Sequence, residues 1–262
     1  MTKDMKNASR IIEASGNSFH AKVLRFFEAA GWAVQISPFY SDSTSGKPRE
    51  IDLLAEKAFP VITDIWGKRI GALRLRLYIE CKFIKQDTVF WFHKQDVAAT
   101  LDLIERRTAL RRTNSFMKDH HYLLPDDGRV AKLFSGPKTN AIEGEQFYRA
   151  LSQVLSATVV LRRAKSILPD ADTPADNPTV HYPVIVCSSF DSFYRTDIAE
   201  NDEPRSLDEN FLLEVNYAYP NTAGASISEY FLLDVLDFGK LEEYLEVLDK
   251  EIAGMAVMLS EN

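Results

Sequence analysis

Apolar and polar positions near the start of the chain repeat with a helical period. The apolar members of this stripe are Phe19, Val23, Phe26, Phe27 and Ala30. Asn17 or Ser18 is a suitable N-cap, and Gly31 is a suitable C-terminal stop. The pattern therefore predicts a helix between these two signals.

Strand-like patterns follow this helix. We expect a strand at about 32–40, an acidic strand at 49–55 and a third strand in the apolar run 75–79, which continues into Glu80-Cys81-Lys82. The segment 83–93, with its adjacent aromatic residues Phe90, Trp91 and Phe92, is interpreted as an exit loop. The order is thus helix, strand, acidic strand and a strand that ends in an acid-x-lysine triplet.

The rest of the chain alternates between helical and extended patterns. Helices are predicted at about 94–112, 143–165 and 241–259, and strands at about 183–187, 211–219 and 230–238. No internal repeat or sharp boundary is visible. We therefore expect one α/β domain over 1–262, in which a mixed central sheet is flanked by helices and residues 94–180 form a helical and loop elaboration.

Three charged residues are predicted to converge at the end of the third strand. Successive side chains of a strand alternate between faces, so Glu80 and Lys82 project together while Cys81 points the other way. If the acidic strand pairs with this one, Asp52 lies beside Glu80. Two carboxylates and one ammonium on one face suit a divalent metal that cleaves phosphodiesters. The alternative is an ordinary ion pair at a strand end, which contributes little free energy.

Asp52, Glu80 and Lys82, in this order of elements, resemble the PD-(D/E)xK nuclease superfamily. The resemblance covers about residues 16–95 and implies the three-layer core of the restriction-endonuclease-like fold. Residue 51 is Ile, where the family motif has Pro, although members often lack that proline.

The resemblance implies a role for each residue of the triad. Asp52, Glu80 and the backbone carbonyl of Cys81 are expected to hold Mg²⁺ or Mn²⁺, which prefer oxygen ligands. Lys82 is expected to orient or deprotonate the attacking water, or to stabilise the negative charge that develops on the phosphate.

Accessory positions are less specific. Many relatives add an acid from the first helix, but His20 stands at the comparable place here, and Glu13 is one of the nearest acids. Gln95, downstream of the lysine, is where some relatives place a glutamine that contacts a water or a phosphate. Ordinary solvated or capping roles are the simpler interpretation of Glu13 and Gln95.

A group of arginines and a histidine pair complete the candidate positions. Arg106, Arg107, Arg111 and Arg112 could follow a phosphate backbone, although the solvated face of a helix is slightly favoured. The pair His120-His121 lacks partner ligands at metal spacing in the sequence and is interpreted as loop.

Composition changes this picture only in part. The net charge of −7 argues against binding nucleic acid through bulk electrostatics. No signal peptide, membrane span or phosphate-binding glycine loop is recognisable, and Cys81 and Cys187 fit reduced core positions. A cytoplasmic protein with no membrane partner is the simplest expectation.

The sequence therefore predicts a metal-dependent DNA endonuclease of the restriction or phage-defence type. RNA stays open as a substrate, as do a homodimer and partner subunits. The alternative is a catalytically silent binding or scaffold subunit with a nuclease fold. Metal binding that depends on Asp52 would distinguish the two.

Overall fold

The computed structural model describes residues 3–14, 16–62, 67, 69–108, 110–136, 144–169, 178–199, 203–221 and 223–260. Its α-helices are α1 (Lys3–Ala14), α2 (Asn17–Ala29), α3 (Val97–Arg107), α4 (Gly144–Leu161) and α5 (Leu241–Ser260), with 3₁₀ turns at Ser115–Asp119 and Phe238–Lys240. None of the described helices is long and apolar enough to cross a membrane.

Most strands of the described chain come in two runs, one between α2 and α3 and the other between α4 and α5. The strands are β1 (Ala33–Ile36), β2 (Phe39–Ser41), β3 (Pro48–Glu50), β4 (Leu53–Ile62), β5 (Arg69–Lys82), β6 (Thr88–Lys94), β7 (Arg129–Ser135), β8 (Thr179–Cys187), β9 (Phe193–Asp197), β10 (Arg205–Ser206), β11 (Phe211–Pro220) and β12 (Ser226–Asp237).

Ten strands form one mixed sheet in the order β1-β4-β5-β8-β12-β11-β7-β6-β9-β10, and β2 pairs with β3 in a separate hairpin. The acidic strand predicted at 49–55 is divided between β3 and β4. β4 and β5 are antiparallel neighbours, whereas β5, β8 and β12 are parallel. The predicted α/β architecture with a mixed sheet between helices is therefore confirmed. The segment 94–180 contributes α3 and α4 and also adds β7 to the sheet.

The two faces of the sheet are covered by different helices. α5 and α2 contact β5 on one face, where Leu75, Leu77 and Ile79 are buried. Tyr78 belongs to the core on the other face, which packs against α4. Because side chains alternate along β5, Glu80 and Lys82 project on the α4 face. Cys81 packs with the core under α2 and α5, as predicted.

The single strand predicted at 32–40 is wrong, because the chain turns at Ser37. This residue has a positive φ of 46°, which interrupts the strand, although its amide still donates to the Asp52 carbonyl in register with the β1–β4 ladder. Pro38 follows and has no amide hydrogen to donate to a sheet ladder. β1 therefore pairs with β4, whereas β2 begins the separate hairpin.

The exit loop predicted at 83–93 is also wrong in its second half. β6 contains all three adjacent aromatic residues, and Phe90 and Phe92 are buried on one face of the sheet. Trp91 is half-buried and projects from the opposite face. The alternation of a strand was hidden because both faces carry aromatic side chains at this point.

Candidate active site

The end of the β4–β5 hairpin brings the two predicted carboxylates together. Leu53 is opposite Ile79 in the antiparallel register, so one step further Asp52 is opposite Glu80. The amide of Cys81 donates to Asp52 Oδ2 at 2.7 Å. This backbone contact holds the Asp52 side chain across the strand that carries the acid-x-lysine triplet.

Glu80 is almost fully buried, with 1% of its surface exposed. Lys82 Nζ donates to Glu80 Oε1 at 2.6 Å, whereas the buried Oε2 has no hydrogen-bond partner among the described residues. Burial, followed by repulsion from Asp52, raises the pKa of Glu80 to about 7, and Lys82 only partly opposes this shift. The site therefore holds a carboxylate oxygen that lacks a cationic or hydrogen-bonding partner.

Lys82 connects the carboxylates to the surface. Its side chain is 23% exposed, although Glu80 is buried behind it. Burial alone would lower the pKa of Lys82, but the Glu80 carboxylate raises it above its ordinary value. The lysine therefore carries a positive charge at neutral pH and presents it to the solvent side of the site.

An open cleft of about 750 Å³ lies at this edge of the sheet. We call it the lysine cleft, since its walls include Lys22, Lys82 and Lys85 together with Ser18, Ser188 and Ser189. It lies at the carboxyl ends of the parallel strands β5 and β8, where open α/β sheets commonly bind ligands.

His20 supports the site from behind. Its Nε2 lies 2.8 Å from the Asp52 carbonyl oxygen, and the Ser37 amide donates to the same oxygen at 2.9 Å. Because a carbonyl only accepts, Nε2 must carry the hydrogen. His20 thus positions the backbone of Asp52. Its Nε2 is used in this hydrogen bond and is not free to act as a metal ligand. Glu13 lies on α1, but its side chain is outside the described part of the structure.

Gln95 has a structural role in the packed interior of the protein. Its amide donates to the Tyr122 carbonyl at 2.6 Å, and its oxygen accepts from the Leu124 amide at 3.1 Å. Both ends of the side chain are therefore used to hold the chain after the Ser115–Asp119 turn. Gln95 is not among the described residues that line the lysine cleft.

The four arginines at and after α3 also have partners within the protein. Arg107 pairs with Glu229, and Arg112 pairs with Asp102 and Glu105. Arg106 and Arg111 donate to backbone carbonyls. None of the four is among the described residues that line the lysine cleft.

A second polar cluster lies under α5, and the sequence did not predict it. His121 Nδ1 is 2.6 Å from Glu251 Oε2, and its Nε2 is 3.4 Å from Asp234 Oδ1. Tyr182 contacts both Glu251 and His120. Glu251 is 130 residues from His121 in the chain, so no local spacing could have indicated this contact.

The ligand atoms of His120, His121 and Glu251 lie within 4.8 Å of one another, close enough to hold a metal ion. Both ring nitrogens of His120 already have partners, however, in the Tyr122 amide and the Tyr182 hydroxyl. Burial lowers the pKa of His121, but Glu251 and Asp234 outweigh it and raise that pKa to about 10. These contacts favour a buried ion-pair network in which His121 is protonated.

No family model, curated protein or solved structure matches the chain.

Proposed function

We propose that this protein is a metal-dependent nuclease that hydrolyses phosphodiester bonds, with DNA as its substrate and a restriction-endonuclease-like core. One observation carries the proposal. Asp52 and Glu80 converge beside Lys82, and Lys82 opens into a cleft with two further lysines.

The donor set fits a divalent cation. Glu80 Oε2 is buried without a partner, and Asp52 Oδ1 accepts no hydrogen bond from the described residues, whereas Oδ2 accepts from Cys81. Carboxylate oxygens are the ligands that Mg²⁺ and Mn²⁺ prefer. Asp52, Glu80 and the Cys81 carbonyl would hold the ion. When bound, it would supply an activated water and offset the charge on the scissile phosphate.

The protein's own residues have distinct tasks in this proposal. Asp52 is held in place at two points, because Cys81 fixes its side chain and His20 its carbonyl. Lys82 keeps its proton, since Glu80 raises its pKa, and can donate to a phosphate oxygen in the cleft. The main benefit of such a fixed cation is that it stabilises the negative charge that develops in the transition state.

Cleavage assays test the proposal directly. Purified protein is incubated with plasmid and with single-stranded DNA in Mg²⁺, Mn²⁺ or EDTA, beside Asp52→Asn, Glu80→Gln and Lys82→Met. Each variant should lose at least about a hundredfold in rate. Lys118→Met, which changes an exposed lysine outside the cleft lining, should cleave like the wild type.

Two results would count against hydrolysis at this site. Triad variants that cleave as well as the wild type would place the activity elsewhere. A wild-type protein that neither cleaves nor binds Mg²⁺ or Mn²⁺ in a thermal-shift titration would favour a silent scaffold subunit. His20, in place of a third acid, leaves only two carboxylates in the described site and is the feature on which that alternative rests.

A further inference from the structure

The lysine cleft has more positive charge than the triad requires. Lys22 and Lys85 are exposed, and neither forms a salt bridge with the described residues. No described residue that lines the cleft is acidic. Exposed cations with no carboxylate partner among the described residues contribute little to folding, so their convergence on one cleft favours an anionic ligand.

The first turn of α2 adds to this charge. Gly16 and Ser18 line the cleft at the start of a 13-residue helix that has no acidic residue in its first turn. Amides at a helix N-terminus lack intrahelical acceptors and favour negative charge. The ligand is therefore expected to present several negative groups, as a phosphate backbone does.

An exposed aromatic ring lies in the same cleft. Phe83 is 53% exposed, although it directly follows the triad lysine. Lys85 Nζ lies 4.9 Å from the centroid of the Phe83 ring, so a cation and an aromatic face share one wall. Positive grooves with such rings are the usual means of binding single-stranded nucleic acid, because each base can stack on an aromatic face.

The position of Phe83 indicates whether the bases of a bound nucleic acid are paired. In a duplex the bases are paired and stacked on each other, so a base can stack on Phe83 only if it is unpaired or flipped out. The cleft volume of about 750 Å³ is also in the range of pockets that enclose small ligands. A single strand matches both features better than an intact double helix.

We infer that the lysine cleft binds a single-stranded DNA segment, with one base stacked on Phe83 and the adjacent phosphates contacting Lys22 and Lys85. The inference rests on the proposed function, since the bound strand would present a phosphate to Lys82. The inference adds to that function that the DNA reaches the site as a single strand.

Binding in EDTA tests this inference without requiring cleavage. Fluorescence anisotropy would compare a labelled 12-nucleotide strand with the same sequence as a duplex. The wild type should bind the single strand more tightly. Phe83→Ala should weaken that binding by about 5- to 150-fold, the effect of losing one stacked base. Phe39→Ala should leave it unchanged, because Phe39 is 70% exposed but outside the cleft lining.

Salt dependence separates the lysine contacts from stacking. Lys22→Ala and Lys85→Ala should each reduce the slope of log K against log salt by about 0.7, whereas Phe83→Ala should not change it. Lys118→Ala is the matched control. Circular dichroism would confirm that each variant is folded, which the exposure of all three cleft residues favours.

The outcomes distinguish this inference from the nuclease proposal. Duplex binding as tight as single-strand binding, or Phe83→Ala behaving like Phe39→Ala, would overturn the inference even if the triad variants abolish cleavage. Selective single-strand binding that depends on Phe83, with neither cleavage nor binding of Mg²⁺ or Mn²⁺, would support the cleft and count against hydrolysis.

Discussion

The Cys81 amide donates to Oδ2 of Asp52 at 2.7 Å, so the backbone of β5 holds the carboxylate at the start of β4. This contact keeps two acids side by side at the end of one hairpin. Asp52 is partly accessible, whereas Glu80 is buried with one oxygen unpaired. Such an arrangement opposes folding unless a cation besides Lys82 joins it, because a buried carboxylate next to another negative charge is costly.

Removing the Glu80 charge should stabilise the metal-free protein. The pKa of Glu80 is raised to about 7 in the folded protein. This group's contribution to stability is therefore complete below the pKa that it has in the unfolded chain, and it is lost as the pH rises from that pKa through 7. At pH 8 in EDTA, Glu80→Gln should therefore increase the free energy of unfolding by on the order of 1–3 kcal/mol. Urea denaturation measures this difference.

The same variant should lose its response to metal. Mg²⁺ should raise the melting temperature of the wild type and leave that of Glu80→Gln unchanged. Glu28→Gln, which changes an exposed carboxylate, is the control and should match the wild type in both experiments. A loss of stability in Glu80→Gln would show that the carboxylate is held by contacts stronger than its ion pair with Lys82.

Arg76 should be among the most sensitive positions for stability. It pairs with Glu56, and its Nη1 and Nη2 donate to the carbonyls of Leu161 and Lys165 at the end of α4, at 2.8 and 2.9 Å. Both members of the ion pair are buried. Arg76→Met should cost about 3–5 kcal/mol, because it leaves the Glu56 charge buried without its partner.

Two comparisons in urea denaturation test whether the burial of the ion pair causes this loss of stability. Arg112→Met removes the exposed ion pairs with Asp102 and Glu105 and should cost less than about 1 kcal/mol. The double variant Arg76→Met/Glu56→Met should recover part of the loss, since it removes both charges. Equal losses in Arg76→Met and Arg112→Met would contradict the role assigned to burial.

The network around His121 should make stability depend on pH. The pKa of His121 is raised to about 10, so the folded protein keeps a proton that the unfolded chain releases near pH 6.5. The contribution of His121 is complete below that pH and is lost as the pH rises towards 10. The difference in unfolding free energy between the wild type and His121→Gln should therefore shrink between pH 6.5 and 9.

Glu251 acts in the opposite direction at low pH. Burial raises its pKa, but His121 and His120 outweigh this effect and lower that pKa to about 2. Its contribution is complete above about pH 4.5 and is lost as the pH falls towards 2. A difference between wild type and His121→Gln that stayed constant from pH 6.5 to 9 would show that His121 is neutral in the folded protein.

Gly31 should be required for its backbone conformation alone. Its φ is +79°, and an added Cβ would meet no atom within 4 Å. Gly31→Ala should therefore cost about 1 kcal/mol through strain in the left-handed region. Gly16→Ala is the control, since Gly16 has a φ of −59° and equally open surroundings, and thermal denaturation should show little change there.

Local patterns in the chain were enough to place the triad. Glu80 and Lys82 share a face because a strand has a period of two, and Asp52 joins them because β4 and β5 are consecutive and pair antiparallel. The predicted stop Gly31 closely follows the end of α2 at Ala29, since few other residues adopt its conformation, whereas the N-cap is Gly16 and not Asn17 or Ser18. These features depend only on residues close in sequence.

Other features were decided by contacts between distant residues. The strand is interrupted at Ser37, whose φ is positive although its amide keeps the in-register bond to the Asp52 carbonyl. Phe90 and Phe92 become core residues because α4 covers their face of the sheet. The cluster of His121 and Glu251 joins positions 130 residues apart. The periodicity of apolar residues shows which face of a helix or strand is apolar. It does not show which other helix or strand packs against that face.

The sequence by itself therefore determined which charged residues meet at the end of the β4–β5 hairpin, through residue identities and strand period. Only the tertiary structure decided that Glu80 is buried with an unpaired oxygen and that Lys22, Lys85 and Phe83 share one cleft with Lys82. Burial and convergence arise from the packing of α2, β5 and β8, and packing depends on the whole chain.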